Sequence, residues 1–555
     1  MDNQSQPTRS FVFDDDGISS LGTPSVFEHS VDSMGRNIAS SAAAKEISYF
    51  RGISDNASIC ALSMVCLNYN LVIAAYVMYI LIRSDGVSPT EAAIFITLVL
   101  SGVVVGMVFF GFSGDVEGRK SSFRACIGLM VVGGVLSAFS GLFIGGLMVQ
   151  LTLTRFMAMI GAGGLYPLVA NMALNSKGSS QVQLANTSTV MIYGPLGGLG
   201  FVLGTLMVVI IGTSLSSADV AWRVLLATGL IPALYLGTYE VSDTLPDSWV
   251  KRKTEDALRG DNALMPSYRQ DLCTHLSKSF YQDLGVLFGP SCRDLMFWTS
   301  LAWFFSDALC YGNFAMQAVI IRSVLENGSL EDDDTTVGAT TVAVIGLGTS
   351  VAFWVGGIAS VYAMKSTSVL GLQLQGLAQC SLLYVIITLC SGLLVMTDGN
   401  IILILTLYTS SYFAMGYGPA PATYLLPCIV FPADLRSTAN GLSAAFGKIG
   451  AVLFVFFSMD YDIDITGLMA FLGVFSLFGG ATTLVTVLVY RRAITNAQEK
   501  ASGRQFFPSE QARERQLNLE RDGASGITSH LSQQEREEDI QYYREQNEND
   551  PLIAP

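Results

Sequence analysis

Charge is scarce in this chain. Only 14% of its 555 residues are Asp, Glu, Lys or Arg, whereas 51% are hydrophobic and mean hydropathy is +0.47. A soluble domain rarely combines those values. Histidine is scarcer still, and His29, His275 and His530 all fall in polar stretches. That argues against a histidine proton relay or a histidine-based metal site inside a membrane. The nine cysteines are scattered and form no C-x-x-C pair; they read as small apolar packing residues. Nucleotide-binding loops, zinc spacings and nucleophile elbows are missing too, so neither an ATP-driven pump nor an enzyme is supported. No cofactor, metal or nucleic-acid partner is expected. The opening residues, MDNQSQPTRSFVFDDD, have no basic region followed by an apolar core, so no cleavable signal peptide is expected.

Long apolar runs, by contrast, are plentiful. A run of about 20 residues crosses ~30 Å of hydrocarbon at 1.5 Å per residue. Twelve such runs fall near 58–82, 91–113, 123–145, 147–174, 186–212, 220–239, 296–321, 338–363, 369–395, 400–424, 438–458 and 464–490. The expected fold is an all-α membrane protein with twelve transmembrane helices in two six-helix, pseudo-symmetric bundles. Residues 58–240 form the first bundle and 296–491 the second. Residues 1–57 and 492–555 are expected to be disordered cytosolic tails, and 241–295 a cytosolic central loop. A six-plus-six layout suggests two bundles that rock around a central site in the lipid bilayer. The apolar-patterned end of the loop (Phe280, Leu284, Leu287, Phe288) suggests an amphipathic helix on the membrane surface.

Orientation follows from Lys and Arg. Arg119, Lys120 and Arg124 lie between runs two and three, Lys177 after run four, and Lys251, Arg252, Lys253, Arg259 and Arg269 in the central loop. Arg436 precedes run eleven, and Arg491 and Arg492 follow run twelve. The positive-inside rule places all of these, and both termini, in the cytosol. The opposite loops are poor in Lys and Arg, and one reads Glu331-Asp332-Asp333-Asp334. The net charge of −14 comes largely from tails and loops and says nothing about substrate charge.

One acidic residue stands out. Asp307 lies inside the seventh run, where a carboxylate costs ~3 kcal/mol on insertion scales. Such a group usually faces a partner, a water-filled cavity or a substrate. Trp303 and Tyr311 flank it at i−4 and i+4, on the same helix face. An indole N–H, a carboxyl group and a phenol together suit a small polar solute.

Between runs two and three the chain reads Gly111-Phe-Ser-Gly-Asp115-Val-Glu-Gly118-Arg119-Lys120. This resembles the cytosolic loop signature of the major facilitator superfamily, G-x-x-x-D-x-x-G-R-K. The glycines permit a tight turn and close helix approach. Asp115 can cap the next helix or pair with a cation, latching the halves in one state. The corresponding stretch of the second half, Gly357-Ile-Ala-Ser-Val361-Tyr-Ala-Met-Lys365, has lost the acid. Arg155 reads either as a snorkelling residue or as a buried charge in the transport path, and Arg155 to Gly163 is similar to the superfamily's R-x-x-x-G-x-G pattern. The resemblance assigns Gly111, Asp115, Gly118, Arg119, Lys120 and Arg155 to a conformational latch.

Within that superfamily the chain resembles the phosphate:proton symporters over about residues 58–490. Gly161 to Leu168 is similar to G-x-G-G-D-Y-P-L. Trp222-Arg223 and Pro232 resemble the W-R…P-A start of the sixth span, and Trp303 to Gly312 resembles W-F-x-x-D-x-x-F-Y-G. Tyr417 to Ala451 is similar to a long stretch, F-G-P-N…F-P-x-x-x-R-S-T…G-I-S-A-A-S-G-K-x-G-A. The resemblance implies that Tyr166, Tyr193, Trp303, Asp307, Tyr311 and Lys448 bind substrate. Asp307, the clear carboxylate left at depth, either carries the coupled proton, or coupling uses another ion, or the protein is a uniporter or exchanger. Tyr and Trp donate hydrogen bonds, Lys448 supplies charge, and Asp307 can accept from a P–OH group. Taken alone, Trp303 and Tyr311 also suit aromatic packing, and Lys448 also suits snorkelling.

The departures from the family pattern are specific. Leu165 stands where the family has Asp, Tyr193 where it has Gln, and Ala420 where it has Asn. The span-one acids of T-D-x-Y-D align with Asn68 and Asn70 in Cys66-Leu67-Asn68-Tyr69-Asn70. The leading expectation is a secondary transporter moving phosphate or a related small anion by alternating access, with a coupled proton. An organic anion or other small polar metabolite is the alternative cargo, and a non-transporting nutrient sensor is a third reading. Asn327-Gly-Ser329 is a glycosylation sequon on the expected non-cytosolic side. The C-terminal Glu548-Asn-Asp-Pro-Leu552-Ile553 resembles an acidic dileucine sorting signal, so the expected address is the plasma membrane or a vacuolar or endosomal membrane.

Overall fold

A backbone in hydrocarbon must satisfy its own hydrogen bonds, and a helix does so within one segment. The computed structural model describes residues 55–116, 118–141, 146–175, 192–238, 285, 287–289, 292–326, 335–364, 366–394, 398–431, 435–460 and 465–506. Among them are twelve helices long and apolar enough to cross a membrane, and no strand. Spans one to six are Ser58–Ser84, Thr90–Val116, Arg119–Ala138, Leu147–Ala170, Tyr193–Ser214 and Ala218–Thr238. Spans seven to twelve are Arg293–Leu325, Thr340–Ala363, Val369–Leu393, Gly399–Val430, Arg436–Ser458 and Thr466–Arg492. Of the two expected tails, residues 55–57 and 492–506 are helical, continuing spans one and twelve; residues 1–54 and 507–555, the sequon, the acidic run at 331–334, the three histidines, Phe280 and Leu284 lie outside the described residues.

Among the described residues four spans are not continuous α-helices; span five opens on a π-turn at Ile192–Leu196. Span six breaks at Gly229 and span ten at Gly418, just before Pro419. Proline lacks a backbone N–H and clashes with the preceding turn, so a fresh helix starts there. Span seven holds a π-turn at Ala308–Gly312, immediately after Asp307. Leu287 also departs from expectation. Rather than lying on a membrane surface, it is fully buried among Leu295, Met296, Phe431 and Leu435, while Phe288 is exposed.

The outer face is greasy, with Phe109, Leu153, Leu382 and Leu488 each more than half exposed. The polar side chains turn inward, and spans one and seven are the most enclosed. The halves meet at two glycine crossings near Asp115. Spans two and eleven touch backbone to backbone, since a Cβ on Gly111 would sit 3.0 Å from the Ser437 carbonyl and 3.3 Å from Gly441 Cα. Spans five and eight do the same, where a Cβ on Gly194 would lie 3.2 Å from the Gly357 carbonyl. At the opposite end, near Arg83, aromatic rings close the seam. Phe201 of span five stacks on Phe314 of span seven at 3.7 Å between centroids, and Phe353 abuts both. Beyond them Tyr76 donates to Gln317, at 3.4 Å. Between these two sets of contacts Tyr166, Asp307, Tyr311 and Lys448 are buried.

Candidate functional site

An α-helix advances by about 100° per residue, so successive i+4 neighbours drift by about 40° each. Over Trp303, Asp307 and Tyr311 the drift would total about 80°. The π-turn holds more residues per turn, and so reverses the drift between Asp307 and Tyr311. The three side chains line up more closely than a plain helix allows, and all are buried. Gly447 on span eleven completes the fit: a Cβ there would lie 2.7 Å from Asp307 Oδ2.

Asp307 Oδ2 accepts from Lys448 Nζ at 2.6 Å. Both groups are enclosed, so Lys448 is not snorkelling. Its ammonium sits 3.3 Å from the Tyr311 ring centroid, 5.3 Å from Tyr166 and 6.0 Å from Trp303. Ring faces stabilise a desolvated cation by roughly 0.5–2 kcal/mol each at good geometry. Tyr193 and Tyr311 share a hydrogen bond of 2.9 Å across the two halves, and Tyr311 also donates to Asn68 Oδ1 at 3.4 Å. Tyr166, Tyr193, Trp303, Asp307, Tyr311 and Lys448 are therefore one cluster. Asn68 and Tyr424 belong to it as well, although neither stood out in the sequence. Tyr424 stacks on Tyr193 at 4.4 Å, meets Tyr166 edge-on at 4.8 Å and donates to the Tyr166 carbonyl. Asn68 reads in sequence only as a lost acid, and Tyr424 only as one aromatic in an apolar run.

Two donors in this cluster are idle. Tyr166 Oη and Trp303 Nε1 are buried, and among the described residues neither has a hydrogen-bond partner. Leaving a buried donor unpaired costs about 1–3 kcal/mol. An acceptor placed between them would recover that loss, and an anion drawn toward Lys448 supplies acceptors. Leu165 is fully buried and Ala420 nearly so, and neither offers a donor.

Arg155 resolves differently from the rest. It is fully buried, which removes the snorkelling alternative. It donates to Asn70 Oδ1 at 3.3 Å and to the Asn70 carbonyl at 2.8 Å. Asn70 also donates to the Gly229 carbonyl at the break in span six, at 3.2 Å. Arg155 thus knits spans one, four and six inside the first half. It stands apart from Asp115 and the loop that follows it.

Asp115 does not cap the next helix, Arg119–Ala138, since its Oδ1 accepts no hydrogen bond among the described residues. Its Oδ2 accepts from the backbone N and the Oγ1 of Thr438, both at 2.8 Å. Thr438 lies in the first turn of span eleven, so a carboxylate of the first half caps a helix of the second. The helix dipole favours negative charge at that end. Gly118 adopts a φ of 114° and turns the chain sharply after span two; Arg119 is buried beside the turn. Gly111 serves the crossing described above.

A sequence model of the Major Facilitator Superfamily matches residues 59–455. The chain belongs to this superfamily. As such it is an integral, multi-pass membrane protein and a secondary transporter, with the resemblance to phosphate:proton symporters described above. Inorganic phosphate transporter PT2 of Toxoplasma gondii is 26% identical over 443 residues, covering 79% of this chain and 72% of that one. A probable inorganic phosphate transporter 1-4 of Oryza sativa is 25% identical over 410 residues, covering 67% of this chain and 73% of the relative. Among solved structures, the E. coli xylose transporter XylE in a partially occluded inward-open conformation superposes with a TM-score of 0.56 at 14% identity. That match covers 79% of this chain and 97% of XylE, and it speaks to the fold alone. This superfamily member differs from XylE in most of its residues while keeping the two-bundle architecture.

Proposed function

We propose that the chain carries inorganic phosphate or a closely related small oxyanion through the Asp307–Lys448 cluster, coupled to a proton. The observation that supports this most is a sealed cation flanked by two idle donors, Tyr166 Oη and Trp303 Nε1. Phosphate's oxygens accept from both donors and from Lys448, while a protonated P–OH donates to Asp307. The names of the relatives point the same way.

The chemistry of one cycle follows from charge. When empty, Asp307 and Lys448 neutralise each other. An arriving anion competes with Asp307 for the ammonium, and the displaced carboxylate is then a buried negative charge beside another. A proton on Asp307 relieves that repulsion, so anion and proton are held together. On release, Lys448 returns to the carboxylate and the proton leaves. Breaking the Asp115 cap on span eleven opens one end, whereas parting Phe201 from Phe314 and Tyr76 from Gln317 opens the other. We place the Asp115 end, both tails and the 241–295 loop in the cytosol, on the Lys and Arg distribution. The bundles then run over 58–240 and 296–491, and the address is a plasma, vacuolar or endosomal membrane.

Uptake of labelled phosphate into proteoliposomes, with and without an imposed pH gradient, tests this reading. Transport that an inward proton gradient accelerates is expected; no uptake under either condition would overturn it. The second reading, an organic anion as cargo, draws on Tyr193 and Ala420, which replace amide donors with a phenol and a methyl group. Competition of sulfate, arsenate and small carboxylates against phosphate uptake separates the two.

A further inference from the structure

Tyr193 and Tyr311, which bond to each other across the two halves, each sit in a π-turn. A π-turn is uncommon and has a local cause. In span five Pro195 supplies one, since it has no N–H to donate to the preceding turn. The turn at Ala308–Gly312 contains no proline. The residue that follows it is Asn313. In an α-helix the Asn313 backbone N–H would donate to the Leu309 carbonyl. Here it donates to the Cys310 carbonyl. The side chain takes its place, with Asn313 Nδ2 donating to the Leu309 carbonyl at 2.7 Å. A side chain inserted into the hydrogen-bond ladder distorts a helix at that point.

Asn313 is itself held from two other spans. Its Nδ2 also donates to Tyr384 Oη of span nine at 2.9 Å, and its Oδ1 accepts from Tyr408 of span ten at 3.3 Å. Tyr408 shares a 2.9 Å hydrogen bond with Tyr412, one turn along. All four side chains are buried. Span eleven, which carries Lys448, packs on the turn itself: a Cβ on Gly312 would lie 2.5 Å from Phe454 Cδ1.

We propose that Asn313 is a positioning residue for the anion site: its amide holds the π-turn of span seven, and the π-turn aims Tyr311 at Tyr193 and Lys448. Asn313 acts through Tyr311 and does not itself touch the anion. Without the amide, the backbone N–H of residue 313 returns to the Leu309 carbonyl and the segment tightens to an α-helix. The ordinary drift of about 40° per i+4 step then comes back between Asp307 and Tyr311. The phenol leaves Tyr193 and the ring leaves the ammonium together, so anion binding weakens. The role in binding rests on the anion site proposed above, whereas the role in holding the turn does not.

Two variants of the full-length protein test it. Asn313→Leu keeps the size of the side chain and removes its donors. Asn313→Thr keeps one donor, because a threonine hydroxyl also bonds the carbonyl four residues back. Phosphate uptake into proteoliposomes gives KM and maximal rate, and an electron cryo-microscopy map of each purified variant shows the turn directly. Asn313→Leu is expected to lose the π-turn and to raise KM about tenfold, as the loss of one hydrogen bond would. Asn313→Thr is expected to keep the turn and most of the affinity. The double variant Tyr384→Phe, Tyr408→Phe keeps both rings and releases the amide; it should raise KM in the same direction, and it stands in if Asn313→Leu does not fold. A π-turn that persists in Asn313→Leu would overturn the proposal. So would an unchanged KM in that variant with a lowered Tm, the mark of a merely structural asparagine, or an equal rise in KM with leucine and with threonine. No uptake by the unmodified protein would count against phosphate as cargo, and the maps would then decide the role of Asn313.

Discussion

Among the described residues each half holds one fully enclosed cation, Arg155 and Lys448, and the two are treated in opposite ways. In the second half Lys448 faces a carboxylate, Asp307, at 2.6 Å. In the first half Arg155 faces an amide, Asn70, and no carboxylate among the described residues pairs with it. An ion pair can be opened by a competing anion, and its acid can then take a proton. A guanidinium held by an amide side chain and a carbonyl has no such second state. The second half thus holds the part of the site that can change charge, and the first half supplies phenols, an amide and a fixed positive centre. Because the first half lacks the span-one acids, the proposed proton coupling rests on Asp307.

Breaking the second half's pair should have the largest effect. Removing one partner of a buried pair leaves an uncompensated charge and costs about 3–5 kcal/mol. Asp307→Ala is therefore expected to abolish transport and to lower Tm clearly. Adding Lys448→Met to Asp307→Ala should restore most of the stability and none of the transport. A double variant as unstable as the single one would show that the pair is not what makes the charge tolerable.

Asn70→Asp sharpens the comparison from the other side. It gives Arg155 the carboxylate it lacks, so the protein should become more stable near neutral pH, by on the order of 1–3 kcal/mol for a charge-assisted bond. A fall in Tm would mean that Arg155 already has a counter-charge. Asp115→Ala should have a smaller effect, about 0.5–2 kcal/mol for a lost helix cap. Its signature is conformational: a cysteine placed at Ser437 should react faster with a membrane-impermeant maleimide when Asp115 is gone. The smallest change is expected of Tyr193→Gln, about 0.5–1.5 kcal/mol for the hydrogen bond to Tyr311. The new amide should tighten apparent phosphate affinity, read as a lower KM; an unchanged KM would place residue 193 outside the anion's reach.

The sequence made some of this plain and concealed the rest for physical reasons. Runs of apolar residues locate the twelve helices because the bilayer fixes their length. Asp307 is conspicuous because a carboxylate at that depth has to be explained. Its partner Lys448 is 141 positions away, and only the resemblance to a family stretch connected them. No local pattern ties Tyr424 to Tyr193 or Asn68 to Tyr311, since those contacts arise only when the halves close. A period of 3.6 carries no mark of a π-turn, so the closer alignment of Trp303, Asp307 and Tyr311 was hidden. The sequence offered Asp115 the next helix or a cation as a partner, and gave no sign that it caps the helix that crosses at Gly441, in the other half.

The central claim is that Asp307 exchanges Lys448 for a proton as the anion binds. Its most direct test is phosphate uptake into proteoliposomes containing the unmodified protein or Asp307→Asn, each with and without an inward proton gradient. The account predicts that the gradient accelerates uptake by the unmodified protein and has no effect on Asp307→Asn. Equal stimulation of both would contradict it, because the proton would then travel on some other group.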